Sequence, residues 1–152
     1  MTRIERSIEI NVTPEKIWPM VFWDRSPEWL GLIKEAECTS EKRDTVSACY
    51  HLIGKAMGRK FEFDVEFTDL VENEKCSWRT VSGNFIGFGT CIHAFGTTTL
   101  TPIEGGTRMT IIMNYRLPYS ILGRIIDKLV VTREMKKGLE KGQEKLKSIL
   151  EE

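Results

Sequence analysis

The sequence predicts an α+β domain built on a curved antiparallel sheet of about six to seven strands. The sheet is expected to wrap around one long C-terminal helix, and two short helices are expected after the first strand. Between about residues 33 and 117 apolar and polar residues alternate, which is the period of strands with one solvated face. From residue 119 onwards apolar residues recur at three- and four-residue steps, which is the period of a helix.

Composition and charge are those of one globular domain, expected to cover residues 1–152. The 22 basic and 22 acidic residues give a formal net charge of zero. A nucleic-acid partner is therefore not expected, because such proteins normally carry a basic excess. No apolar run approaches the roughly 18 residues of a spanning helix, so stable membrane insertion is not expected. A monomer or weak homodimer is expected.

The cysteines favour a reducing compartment. Cys38, Cys49, Cys76 and Cys91 are scattered, without a CxxC or any pair spaced as in zinc sites. Buried free thiols in the cytoplasm are the preferred interpretation, and a disulfide or redox role is the alternative. The N-terminal "MTRIERSIEI" carries charges every second or third residue, unlike a secretory signal. A cytoplasmic protein without metal or cofactor is expected.

The short helices follow an alternating first strand, "TRIERSIEI". Thr13 is a plausible N-cap, and Pro14 suits the first helical position, where no N–H is needed. Pro19 lacks the N–H for the next turn, so a kink or an early stop is expected. Ser26 and Pro27 repeat the signal and predict a second short helix. The segment also carries three tryptophans: Trp18, Trp23 and Trp29.

The sheet region has its most regular alternation in "KFEFDVEFTDL". There Phe61, Phe63, Val65 and Phe67 oppose three acidic residues. An earlier strand is predicted from alternating apolar positions: Val46, Ala48, Tyr50 and Leu52. Glycines at positions 54 and 58 predict a turn after it, and "SGN" predicts another after "KCSWRTV".

Two further strands flank the predicted hairpin turn "EGGT". The first, "GFGTCIHAFGTTTLTP", is rich in threonine, and its inward and outward positions are left open. The second, "RMTIIMNYRLP", places Met109, Ile111, Met113, Tyr115 and Leu117 on one face. The final helix then contains Gly138 and Gly142. Each is expected to reduce the stability of the helix locally by about 1 kcal/mol relative to alanine.

These elements predict a cavity. A twisted sheet of this size curls, and a single straight helix covers only part of its concave face. The short helices are expected to close one end of this space, and their tryptophans are expected to line a lid or rim. The predicted ligand-binding residues are Trp18, Trp29, Tyr50, Phe61, Phe63, Phe67, Trp78, Phe88, Met113, Tyr115, Ile126 and Met135. The alternative for each is ordinary core packing.

Catalytic candidates are weak. There is no GxSxG and no cysteine–histidine signature. His93 is the best general-base candidate if it faces the cavity, although a surface histidine is the commoner case. Arg6 shares a strand face with isoleucines and either holds a ligand carboxylate, pairs with a nearby acid or lies exposed. Tyr50 completes the set, while His51 is expected to face solvent.

Three stretches carry a family resemblance: "IERSIEINVTPEKIW…WDRSPEWL", "GGTRMTI" followed by "YRLP", and "LGRIIDKLVVTREMKKGLEKGQEKLKSILEE". Over essentially the whole chain they resemble the START-related polyketide-cyclase and lipid-transfer superfamily (SRPBCC), which has the pollen-allergen-like helix-grip fold. The resemblance implies a hydrophobic cavity between the sheet and the C-terminal helix, in a family that binds lipids, polyketides or hormones. Its motifs mark a fold and do not choose a function.

Three hypotheses remain open. The first, preferred because no polar groups converge, is a carrier or sensor of an apolar small molecule such as a lipid or polyketide. The second is a cyclase or dehydratase acting in the same cavity. The third is an interaction module like the chaperone-ATPase activators of that superfamily, with a filled core and an exposed apolar patch.

Overall fold

A seven-stranded antiparallel sheet forms the body of the protein. The computed structural model describes residues 2–56, 59–84, 93–116 and 132–151. The strands are β1 (Thr2–Ile10), β2 (Ile33–Cys38), β3 (Cys49–Ala56), β4 (Arg59–Val71), β5 (Lys75–Asn84), β6 (His93–Ile103) and β7 (Gly106–Arg116). Their order, β1-β7-β6-β5-β4-β3-β2, places the first two strands at opposite edges. The register shifts where β2 pairs with β3 and where β4 pairs with β5. Such irregularities in a ladder strengthen local twist and help a sheet to curl. The predicted fold class is confirmed.

The short-helix segment, residues 14–28, links the two edge strands. It consists of an α-helical turn, Pro14–Ile17, and two 3-10 helices, Trp18–Val21 and Trp23–Glu28. The α-helix ends two residues before Pro19, as expected from the missing N–H. The last helix begins at Trp23, earlier than predicted, and holds Pro27 within it. Thr13 occupies the cap position, but its side chain makes no capping hydrogen bond.

The inward face of most strands follows the predicted alternation. On β4 Phe61, Val65 and Phe67 are buried and the acidic residues between them point outwards. On β6 the buried positions are Ala94, Gly96, Thr98 and Leu100. The sequence left open which residues of β6 face inwards. In the structure the even-numbered residues from 94 to 100 do, and the odd-numbered residues from 93 to 101 lie on the outer face.

Three local predictions are wrong. Val46 is 52% exposed in the loop before β3 and does not continue the strand. Gly54 lies inside β3, where it pairs with Phe61 of β4, and Gly58 lies outside the described residues. The "SGN" stretch, residues 82–84, continues β5, where it pairs with β4. In each case pairing with a neighbouring strand, which local sequence does not encode, decided where the strand begins or ends.

The C-terminal helix, described over Thr132–Leu150, spans the gap between the two sheet edges. At one edge the buried Gln143 donates from Nε2 to the carbonyl of Arg6 (3.2 Å) and to that of Met109 (3.3 Å). At the other edge a Cβ on Gly138 or Gly142 would lie 2.5 Å from Leu32 or 2.8 Å from Leu30. The two glycines therefore allow close packing, in addition to reducing the local stability of the helix. No described helix combines the length and apolarity needed to cross a membrane.

Replacing Gln143 by methionine, which keeps the shape but removes the donor, is expected to lower the free energy of unfolding by about 1–3 kcal/mol. Urea denaturation measures the change. The exposed neighbour Glu144 provides the control, since Glu144→Met is expected to stay within about 0.5 kcal/mol of the unsubstituted protein. Equal stability of the two variants would show that the Gln143 hydrogen bonds do not hold the helix on the sheet.

Candidate functional site

A cavity of about 130 Å³ lies between the concave sheet face, the C-terminal helix and the short-helix segment. Its described wall is almost wholly apolar. The aromatic side chains of the wall are Trp23, Trp29, Phe61, Phe63, Phe67, Trp78 and Tyr115. Met113 from β7 and Met135 from the helix face it as well, and methionine suits an adaptable apolar wall. The alternation on β4 and β7 is what brings these side chains to one face.

The structure brings eight of the twelve predicted ligand-binding residues together on this wall: Trp29, Phe61, Phe63, Phe67, Trp78, Met113, Tyr115 and Met135. It places two others, the half-buried Trp18 and the buried Tyr50, away from the wall. Trp18 meets Phe22 edge to face, at 5.4 Å between ring centroids. Tyr50 is fully buried and its hydroxyl donates to the Arg43 carbonyl. Phe88 and Ile126 lie outside the described residues.

Sequence reasoning missed the aliphatic part of the wall. Leu30 and Leu32 come from the connection between the short-helix segment and β2, and Ile33 is the first residue of β2. Nothing in their spacing separates them from ordinary core residues. The available signal was the pair of helix glycines, since the missing side chains of Gly138 and Gly142 make room for Leu32 and Leu30.

None of the three catalytic candidates lines the cavity. His93 is exposed on the outer sheet face, opposite Arg116. Arg6 is half-buried, and its Nη1 donates to the Glu5 carbonyl at 2.9 Å. The Tyr50 hydroxyl is held under the β2–β3 loop, where burial raises the pKa of the phenol. These groups do not converge on a point from which they could act on one substrate.

His51 lies on the outer face, as expected. Its Nδ1 is 2.8 Å from an Asp64 carboxylate oxygen, and Ser82 donates to the other oxygen at 2.6 Å. The hydrogen bonds from Ser82 and from His51 lower the pKa of Asp64. This row of polar residues crosses three strands on the side of the sheet that faces away from the cavity.

Most polar side chains of the wall are already hydrogen-bonded within the protein. The bonds are Trp29 Nε1 to the Met20 carbonyl (2.9 Å), Ser26 Oγ to the Trp23 carbonyl (2.6 Å), Thr80 Oγ1 with the Ala94 backbone (3.1 and 3.3 Å) and Tyr115 with Thr132 between their hydroxyls (2.7 Å). Such bonding lowers the cost of burying these groups beside an apolar space.

The Cys76 thiol lies at the cavity wall and is expected to be chemically inert. Burial raises its pKa to about 12, against the smaller opposing effect of hydrogen bonds with Thr98. The thiolate is therefore scarce at neutral pH. Alkylation of Cys76 at pH 8 is expected to be at least about a hundredfold slower in the native protein than in urea. Peptide-resolved mass spectrometry measures both rates, with the half-buried Cys38 as control. Native labelling of Cys76 as fast as that of Cys38 would contradict the prediction.

Comparison with known proteins places these features in a family. A family model described as "Polyketide cyclase / dehydrase and lipid transport" matches residues 1–151. An uncharacterized 17.2 kDa protein of Streptomyces lincolnensis is 24% identical over all of this chain and 91% of its own length.

Solved structures share the fold. A START superfamily protein of Mycobacterium smegmatis superposes with a TM-score of 0.72 at 17% identity, covering 98% of this chain and 97% of the other. The Zhui aromatase/cyclase of Streptomyces sp. R1128 gives a TM-score of 0.80 at 9% identity, covering 99% and 93%. At these identities the likeness establishes the helix-grip architecture and not a shared ligand.

Proposed function

Since this chain belongs to the polyketide cyclase/dehydrase and lipid transport family, we propose that it binds an apolar ring compound in the cavity, as a carrier or sensor. The observation that carries the proposal is an apolar space of about 130 Å³ lined by seven aromatic side chains and by the C-terminal helix. Closed apolar cavities of about this size stay dry, so an apolar wall of this kind favours an apolar guest over water.

The volume supports a small guest. A cavity of about 150 Å³ is known to hold benzene, whereas sites for drug-sized ligands measure roughly 300–1,000 Å³. A long acyl chain would require the wall to expand. One ring with a short substituent fits the space best.

Binding without chemistry is the preferred form of the proposal. The titratable side chains on the described wall include Cys76 and Tyr115; the former stays protonated and the latter is bonded to Thr132. The cyclase or dehydratase alternative needs a polar group that reaches the guest, and the candidates His93, Tyr50 and Arg6 lie elsewhere. The interaction-module alternative needs an exposed apolar patch. The large exposed apolar residues of the described chain lie on five different segments: Val46, Val71, Val81, Phe95 and Ile149.

The test is a titration of ¹⁵N-labelled protein with toluene and with ethylbenzene, followed by two-dimensional NMR and thermal unfolding. Saturable shifts of the amides on β4, β7 and the C-terminal helix and a rise in Tm are expected. Palmitate serves as the long-chain comparison and is expected to bind more weakly. If neither aromatic compound moves the spectrum at saturation in water, the proposal is wrong. Tighter binding of palmitate than of either aromatic compound would show that the ligand is a lipid and not a ring compound.

A further inference from the structure

We propose that the indole N–H of Trp23 is the polar anchor of the cavity, so that the guest is a ring compound carrying an acceptor oxygen, such as an aryl ketone. This inference rests on the proposed function and names its ligand class more closely. It starts from one atom: among the described residues, Trp23 Nε1 is the single buried side-chain nitrogen or oxygen without a hydrogen-bond partner.

An unpaired N–H at this position is unusual. Buried polar groups in native proteins are nearly always hydrogen-bonded, and a donor left without an acceptor costs stability. The neighbouring indole shows the common arrangement, since Trp29 Nε1 on the same wall donates to the Met20 carbonyl at 2.9 Å. Trp23 Nε1 has no such acceptor. A ligand oxygen in the cavity would supply one.

The Trp23 ring is also held in place. It meets Trp78 edge to face, with 5.2 Å between ring centroids and planes at 84°. Its two chain neighbours are fixed by one arginine: Arg43 pairs with Asp24 through two contacts of 2.9 and 3.0 Å and lies 4.8 Å above the Phe22 ring. The side chain is therefore preorganised, and little conformational freedom is lost when the N–H finds an acceptor.

The other polar side chains of the wall narrow the class of ligand further. The hydroxyls of Ser26, Thr80 and Tyr115 already make bonds inside the protein. The unsatisfied donor at Trp23 stands in an apolar, aromatic surrounding, where a hydrogen bond is stronger than in water. A site built around one buried donor favours a ligand that accepts over an isostere that cannot.

The first experiment uses the unsubstituted protein with ¹⁵N-labelled tryptophan. The probes are acetophenone and α-methylstyrene, in which a methylene group replaces the carbonyl oxygen of the same planar skeleton. The Trp23 indole proton is expected to move downfield with acetophenone and not with α-methylstyrene. The Trp29 indole proton, already bonded to Met20, is the internal control and is expected to respond alike to both.

The second experiment measures the ratio of the two dissociation constants in variants. Trp23→Phe removes the N–H and part of the ring, so both ligands lose packing but only acetophenone loses the hydrogen bond. The preference for acetophenone over α-methylstyrene is expected to fall about tenfold relative to the unsubstituted protein. Phe63→Leu, which trims another ring of the same wall, is the matched control, and there the ratio is expected to stay unchanged.

The outcomes separate the two proposals. If both probes bind but shift the Trp23 proton equally, and Trp23→Phe leaves the ratio unchanged, the anchor is disproved and the apolar site stands. A Trp23 proton that is shielded and unmoved by either probe would mean that the N–H points at the Trp78 ring, which also overturns the inference. If neither probe binds, the proposed function fails and the inference fails with it.

Discussion

An Ala94→Leu variant is expected to lose the binding of toluene and ethylbenzene. Ala94 lies on β6 at the cavity wall, where the residue is 6% exposed and packs with Ile4, Phe61 and Tyr115. Leucine adds three carbon atoms to a space of about 130 Å³ that would otherwise hold a six-carbon ring. With the space filled by the protein itself, the dissociation constants are expected to rise at least about a hundredfold. NMR titration measures them.

The matched control is Thr101→Leu, an exposed position on the outer face of the same strand. It adds a similar side chain without touching the cavity, so ligand binding is expected to stay within about twofold. The amide spectrum of the Ala94 variant must remain dispersed, which shows that the fold is kept. Full binding by a folded Ala94→Leu protein would place the guest outside the cavity and contradict the proposed function.

The Gly54→Ala variant is expected to be destabilised by about 3 kcal/mol. Gly54 lies in β3 opposite Phe61, and an added Cβ would collide with the Leu32 carbonyl oxygen and with the Phe61 ring. That carbonyl accepts a hydrogen bond from Lys55 N at 3.0 Å, so it cannot retreat without breaking the bond. The Phe61 ring would have to move into the cavity. Urea denaturation measures the loss.

Gly31→Ala is the control for this substitution. A Cβ at position 31 meets nothing within 4 Å. The same chemical change is therefore expected to be neutral, or to stabilise by a few tenths of a kcal/mol through a less flexible unfolded chain. Equal stability of the two variants would show that the close contact between Gly54 and Phe61 does not fix the position of Phe61 in the cavity wall.

Element type and order were predictable from the sequence because periodicity records which side of an element is buried. The acidic residues between the phenylalanines of β4 can only face water, so the opposite face had to be internal. Pro19 stopped the first helix for a local reason, the missing N–H. In contrast, the extent of β3 and β5 was mispredicted, because strand ends depend on pairing partners distant in sequence.

The site was predictable only in part. Phe61, Phe63 and Phe67 could be assigned to one face, and that face does line the cavity. Tyr50 points inwards, as alternation along its strand predicts, and yet it lies away from the cavity. Its ring packs against Phe67 and its hydroxyl is bonded to the Arg43 carbonyl. Alternation tells inside from outside but not how deep within the interior a side chain ends.

By itself the sequence determined an antiparallel sheet with one apolar face, a proline-broken segment rich in tryptophan and a terminal helix, since each is written in local spacing and backbone chemistry. Only the tertiary structure decided that His93 faces outwards, that two helix glycines accept leucines from the β2 connection, and that Trp23 keeps an unpaired N–H. These outcomes depend on distances between side chains far apart in the chain, and such distances are set when the sheet curls and the helix docks across both of its edges.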